Sequence, residues 1–278
     1  MATYPSFVEA ATEPAGYVVV TDDGDRIHFL DWDGAGAPGV VLVHGLSNTA
    51  WSWTPVARRL VAVRRVVAMD LRGHGLSDAP TGSYDLAVLG RDVVAVAEAS
   101  VGADAAVVLA GHGFGGIVAA LAAATLGDRC ARLVLVDGGW ADVAATADMD
   151  VDEFLRGLDE PPEVLSSMRA FLRDRRAFDP ATWDDDQERA ARATVVETAA
   201  GKVVPATRPH ALVASVEAMF SYRPADVLPR VTAPIVALAA TTRRPPPGSG
   251  MEVRELAAVG HNLMRYRPDE VAAAILDD

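Results

Sequence analysis

The chain has 278 residues, half of them hydrophobic by type, which is enough for one large α/β domain or for a domain carrying an inserted subdomain. A formal net charge of −13 argues against nucleic acid and anionic membrane as partners, because an acidic surface repels polyanions, and leaves a small-molecule substrate or ligand as the partner class. No run approaches the ~18 apolar residues of a membrane span, residues 1–6 show no basic segment leading into an apolar one, and the single cysteine, Cys130, has no disulfide partner in the chain. The expectation is a reduced, cytoplasmic protein, monomer or homodimer.

Short β-branched runs alternate with helical stretches, the pattern of a parallel sheet covered on both faces. Residues 17–21 and 26–32 read as strands straddling Asp22-Asp23-Gly24-Asp25, hence an antiparallel hairpin at a sheet edge. Further strands are expected at 40–43, 65–69, 106–110, 132–136, 235–238 and 253–256, with helices at about 52–62, 85–100, 114–126 and 268–276. The Ala-rich stretch 118–124 fits a helix packed closely on a sheet. Cys130, just before the 132–136 run, reads as a buried structural thiol. From 141 to 222 the strand pattern gives way to acidic, helix-prone sequence with breaks at Asp159-Glu160-Pro161-Pro162 and Asp179-Pro180. The expected division is a core of residues 1–140 and 223–278 with a helical cap of residues 141–222.

Four motifs lie at the C-terminal ends of expected strands, where an open parallel sheet places its active site. His44-Gly45-Leu46-Ser47 ends the third strand, and Asp70-Leu71-Arg72-Gly73-His74-Gly75 follows the fourth. Gly111-His112-Gly113-Phe114-Gly115 follows the fifth and opens a helix, the spacing of a nucleophile elbow, G-x-S-x-G, with glycine at the nucleophile position. Gly260-His261-Asn262 follows the last strand. The Gly111-x-Gly113-x-x-Gly116 pattern formally matches a dinucleotide fingerprint, but it follows the fifth strand rather than the first and leaves the His-Gly turn and the terminal His without a role. The histidines and the cysteine show no ligand-like spacing, so neither a metal nor a cofactor is expected.

Together these motifs resemble the α/β-hydrolase family, from about residue 17 to residue 276. The resemblance implies an α/β fold: a mostly parallel eight-stranded sheet with helices on both faces and a helical cap inserted after strand six. It implies that the backbone N–H groups of Leu46 and Phe114 form an oxyanion hole, that His261 is the general base, and that residues 70–75 are a structural turn in which His74 is not catalytic. Family members most often carry the acid after strand seven, but residues 239–250 contain no carboxylate. A minority arrangement places it after strand six, where Asp137 stands; Asp142 or Glu252 are alternatives, as is a turn-forming role for Asp137 or no acid at all. His112 reads as a packed histidine, and Ser47 has no base at a readable spacing to make it a nucleophile. Trp51, Trp140, His210 and Met264 are candidate lining for a substrate pocket, against the alternative of ordinary cap-to-core packing.

The activity implied is hydrolysis of esters, lactones or related carbonyl substrates. Gly113 offers no hydroxyl, so catalysis would be non-covalent, with His261 acting on water or on a substrate proton. Lyase or isomerase chemistry on the same scaffold, or a catalytically inactive small-ligand-binding protein, fits the same residues.

Overall fold

The short β-branched apolar runs at 40–43, 66–69, 107–110 and 133–136 become the middle of one eight-stranded sheet. The computed structural model describes residues 12–158, 167–240, 244–246, 248–256 and 260–277. Residues 1–6, the break at Asp159-Glu160-Pro161-Pro162 and residues 241–243 and 247 of the loop after the seventh sheet strand lie outside the described residues. The strands are β1 (Ala15–Val20), β2 (Arg26–Asp31), β3 (Gly39–Val43), β4 (Val66–Met69), β5 (Val107–His112), β6 (Cys130–Val136), β9 (Ile235–Ala240) and β10 (Glu252–Leu256), in the order β1-β2-β4-β3-β5-β6-β9-β10. A separate ribbon pairs β7 (Val195–Glu197) with β8 (Val203–Pro205).

As the sequence led us to expect, β1 and β2 form an antiparallel hairpin at one edge. β2 also runs antiparallel to β4, and all other neighbours are parallel. Central strands such as β3 and β4 are buried at every position, which is why they read as unbroken apolar runs rather than alternating ones. The edge strand β1 differs, with Tyr17, Val18 and Val20 exposed.

The expected helices appear as a 3-10 turn (Ala50–Trp53) leading into α1 (Thr54–Leu60), α2 (Leu86–Ser100), α3 (Phe114–Leu126) and, at the C-terminus, α11 (Pro268–Leu276). α2 and α3 cover one face of the sheet, and α1 and α11 cover the other. The small side chains Ala119, Ala120, Ala122 and Ala123 are fully buried, so α3 lies close against the sheet. Several boundaries move by a residue or more, two of them for a readable reason. β5 extends to His112 because Gly111 and His112 keep register with Leu135 and Val136. β6 begins at the buried Cys130, with a register shift that leaves Ala131 bulged opposite Val107 and Val108.

Between β6 and β9 the chain leaves the sheet through α4 (Val143–Thr146), α5 (Val151–Leu158), α6 (Met168–Phe178), α7 (Asp185–Ala193), α8 (Pro209–Ser221) and α9 (Pro224–Val227). The expectation of an all-helical segment needs correction, because β7 and β8 stand inside it, closed by Thr198 N–H to Lys202 C=O at 2.7 Å. Three residues per strand leave too short a run for alternation to register in the sequence. The segment has a small cluster of its own around Phe171, Leu172 and Val203. It is also bound to the rest of the molecule: Val216, Met219 and Phe220 of α8 join the core on the α3 face, and the buried Tyr222 hydroxyl donates to the Gly139 carbonyl at 2.9 Å. Its middle rests on α10 (Leu263–Tyr266), where Arg265 donates to Thr182 Oγ1 at 2.6 Å and to the Asp179 carbonyl at 3.0 Å.

Candidate active site

The elbow between β5 and α3 turns on Gly113, at φ 54° and ψ −117°. Residues bearing a Cβ adopt this region only under strain, and glycine reaches it freely. The turn is pinned by backbone: Gly113 N–H donates to the Val136 carbonyl at 3.0 Å, and its own carbonyl accepts from Gly116 N–H at 3.0 Å. Gly115 is required by close approach, since a Cβ there would stand 2.3 Å from the His44 carbonyl oxygen and 2.4 Å from that of Val43. α3 therefore begins directly against the end of β3. Phe114 is its first residue, so the Phe114 N–H has no acceptor within the helix.

The turn after β3 is held by imidazole. His44, fully buried, donates from Nδ1 to the Gly45 carbonyl at 2.7 Å and accepts the Leu71 N–H at Nε2 at 3.0 Å, which fixes its neutral tautomer. Burial lowers its pKa from the ordinary histidine value. In a trans peptide the C=O and N–H point in opposite directions, so fixing the Gly45 carbonyl also fixes the Leu46 N–H. Asp70 braces the same region from the end of β4. Its carboxylate accepts from Ala50 N–H at 2.8 Å, Leu76 N–H at 3.0 Å and His28 Nδ1 at 2.8 Å. Burial alone would raise the Asp70 pKa, but these hydrogen bonds outweigh it and leave the carboxyl below its usual range.

Asp137 follows β6 directly and takes a positive φ of 47°. Its N–H donates to the Leu238 carbonyl at 2.8 Å and its Oδ1 accepts from Ala240 N–H at 3.0 Å, so β9 orients the carboxylate. The other oxygen, Oδ2, meets His261 Nδ1 at 2.5 Å. The Asp137 side chain is 1% exposed and the His261 side chain 42%, so the pair spans from interior to solvent. With Nδ1–H given to Asp137, Nε2 carries the lone pair. That nitrogen faces the elbow: a Cβ built on Gly113 would lie 3.1 Å from Nε2 and 3.4 Å from Cε1 of His261.

The structure thus brings Gly113, Asp137 and His261 together, across separations that leave no local trace in the sequence. Of the alternative acids, Asp142 caps α4 by accepting from Ala145 N–H, and Glu252 pairs with Arg254. Leu46 is half-buried, and Ser47 is exposed at φ 57°. The four expected pocket residues do not form one wall. Trp140 is buried on the α3 face of the sheet, while Met264 is buried on the α1 and α11 face. His210 is exposed and donates from Nε2 towards the carbonyls of Ala79 and Pro80. Trp51 is half-buried under the Arg189 guanidinium, 5.0 Å from its ring. His74 is buried in the 70–75 turn, away from His261 in the hydrogen-bond pattern, with Nδ1 on the Arg72 carbonyl. His112 is packed, as read from sequence, but also engages His261, a contact that sequence reasoning missed. Among the described residues no three His, Cys, Asp or Glu side chains converge as a metal site, and no helix is long and apolar enough to cross a membrane.

The profile of the Alpha/beta hydrolase family matches residues 40–274. Among curated proteins, Epoxide hydrolase 4 of Mus musculus is 35% identical over 123 residues, 44% of this chain and 34% of the relative. The non-heme chloroperoxidase of Streptomyces lividans is 35% identical over 160 residues, 57% of this chain and 55% of the relative. The chain therefore spans only 34% to 55% of the length of these two relatives. Among solved structures, E-2-(acetamidomethylene)succinate hydrolase superposes with a TM-score of 0.79 at 18% identity, covering 94% of this chain and 97% of that one. The thioesterase domain from the curacin biosynthetic pathway gives 0.72 at 19% identity, covering 95% and 99%. At such identities the superpositions speak for the fold alone. The fold and the match from strand β3 into helix α11 agree: this chain belongs to the alpha/beta hydrolase family.

Proposed function

We propose that the protein hydrolyses small carbonyl substrates, esters, lactones or related compounds, without a covalent enzyme intermediate. His261 Nε2 takes a proton from water as the water oxygen bonds to the substrate carbonyl carbon. The N–H groups of Leu46 and Phe114 receive the resulting oxyanion. Collapse of the tetrahedral species breaks the bond to the leaving group, which takes its proton back from Nε2. Asp137 holds the ring in the tautomer that leaves Nε2 unprotonated and stabilises the imidazolium that forms. The inserted segment, residues 141–222, acts as the cap over this end of the sheet.

One observation carries the reading: His261 Nε2, backed at Nδ1 by a buried carboxylate, faces the place where the nucleophile side chain would stand, and Gly113 leaves that place to water or substrate. The exposure of the His261 ring supplies access for both. The experiment is a panel of aryl and acyl esters and lactones with wild-type protein and His261→Ala. Loss of at least about a hundredfold in kcat/KM with the variant is expected, the usual contribution of a general base. No acyl adduct should appear on the chain by mass spectrometry during turnover. Turnover that survives His261→Ala unchanged, or an acylated residue, overturns the proposal.

A further inference from the structure

His112 is an expensive residue for a core position. It is 3% exposed, and its Nδ1 is buried with no hydrogen-bond partner among the described residues. An apolar side chain of similar volume would fill the space without a desolvated nitrogen. A Cβ on Gly45 would stand 2.7 Å from that Nδ1, so the nitrogen abuts the backbone of the turn after β3. The other nitrogen has a definite use. Nε2 lies 3.1 Å from the carbonyl oxygen of His261 and must be the donor. The same carbonyl accepts Leu263 N–H at 3.0 Å, the first turn beyond the loop. The two imidazole rings lie 4.3 Å apart, tilted by 44°.

From this geometry we infer that His112 is a positioning residue for His261: its Nε2–H anchors the backbone of the half-exposed base, and its ring limits rotation of the base's ring. The inference rests on the general-base reading for its catalytic meaning but not for its geometry. Among the described residues, other elements hold His261 through Asp137 at its ring and His112 at its carbonyl and ring face, while its carbonyl also closes the local turn to Leu263. The elbow residue next in the chain is Gly113, so one short segment, 112–113, both supports the base and faces it. A base must be held within a fraction of an ångström of its working geometry, and loops achieve this only through such supporting contacts.

The test uses the full chain, labelled with 15N at the histidine rings. The Nδ1–H of His261, in a 2.5 Å hydrogen bond to Asp137, should give a far-downfield proton resonance in the wild-type protein. Its absence would overturn the dyad on which the inference stands. In His112→Leu the resonance should broaden or exchange with water about tenfold faster, the size expected when one hydrogen bond restraining the loop is lost. His112→Gln, whose amide reaches the carbonyl, should restore it. Wild-type line shape and exchange in a folded His112→Leu protein, or failure of a folded His112→Gln to restore them, overturns the inference. Should the leucine variant not fold, His112→Asn, too short to reach the carbonyl, takes its place with the same expected loss. A changed resonance in the His112 variants together with full turnover by His261→Ala would leave the positioning intact and refute the general-base reading instead.

Discussion

Gly113 is the residue at which backbone and chemistry are most tightly joined. Replacing it by serine places a Cβ at φ 54°, ψ −117° and 3.1 Å from His261 Nε2. Strained positive-φ conformations cost on the order of 1–3 kcal/mol, so Gly113→Ser is expected to fold with stability lower by about that amount. The His261 ring must also retreat by a few tenths of an ångström. Urea unfolding measures the first effect, and a shift of the His261 ring resonances reports the second. A variant as stable as the parent, with those resonances unmoved, would mean that the elbow is relaxed in solution. The substitution leaves untouched the backbone N–H groups of Leu46 and Phe114, the oxyanion donors of the proposed mechanism.

At the scale of elements, the turn after β4 is built around buried charge. Arg72, with no exposed side chain, forms a fork with Asp92 of α2, Nε to Oδ2 at 2.6 Å and Nη2 to Oδ1 at 2.8 Å, and adds bonds to Asp25 and to the Ser83 carbonyl. Removing Asp92 strips the buried guanidinium of its bidentate partner and leaves it the ion pair to Asp25 at 3.1 Å. Asp92→Ala should therefore cost about 3 kcal/mol in denaturant melts, the low end for a broken buried pair, while Arg72→Met with Asp92→Leu should recover most of the loss. Equal losses in the single and double variants would show that the pair itself, not the orphaned charge, matters. How far the sequence exposed such features depended on their range. β3 to β6 are continuous apolar runs and were legible, as were α2 and α3 by length and composition. The β7–β8 ribbon was not, since three-residue strands carry no period. His261 meets Asp137 across 124 residues and His112 across 149, and no window of sequence contains either contact. The first was reachable only by resemblance, and the second was hidden because a histidine before the elbow reads as packing. The pocket residues failed to converge for a related reason: an aromatic or methionine near a motif looks the same whether it faces a ligand or the core.

Across the whole molecule, buried histidines set the response to acid. Burial is the main cause that lowers His74 and His112 to about 3 from an ordinary 6.5. Both are neutral when folded and take up a proton when unfolded, so the unfolded chain binds more protons between pH 6.5 and about 3. Their contribution is complete above pH 6.5 and is lost as pH falls through that window, at up to about 1.4 kcal/mol per pH unit for each histidine. Unfolding free energies from urea titrations should fall between pH 6 and 5 with a slope approaching two protons from His74 and His112, to which the buried His44, its pKa also lowered, adds. His112→Gln should reduce that slope by about one, and an unchanged slope would show that His112 is already charged in the folded protein. The acid range brings out a second property, this time of the edge strand β1. Its side chains Tyr17, Val18 and Val20 are exposed, and its outer row of backbone groups has no ladder partner among the described residues. The opposite edge, β10, carries Glu252, Arg254 and Glu255. Such an apolar edge is a template for strand addition, and mutual repulsion between highly acidic molecules stands against it. That repulsion vanishes near the isoelectric point of about 4.8. The colloidal limit of this protein should thus be set by one strand, with light scattering rising steeply as pH approaches that value and Val18→Lys holding the solution clear.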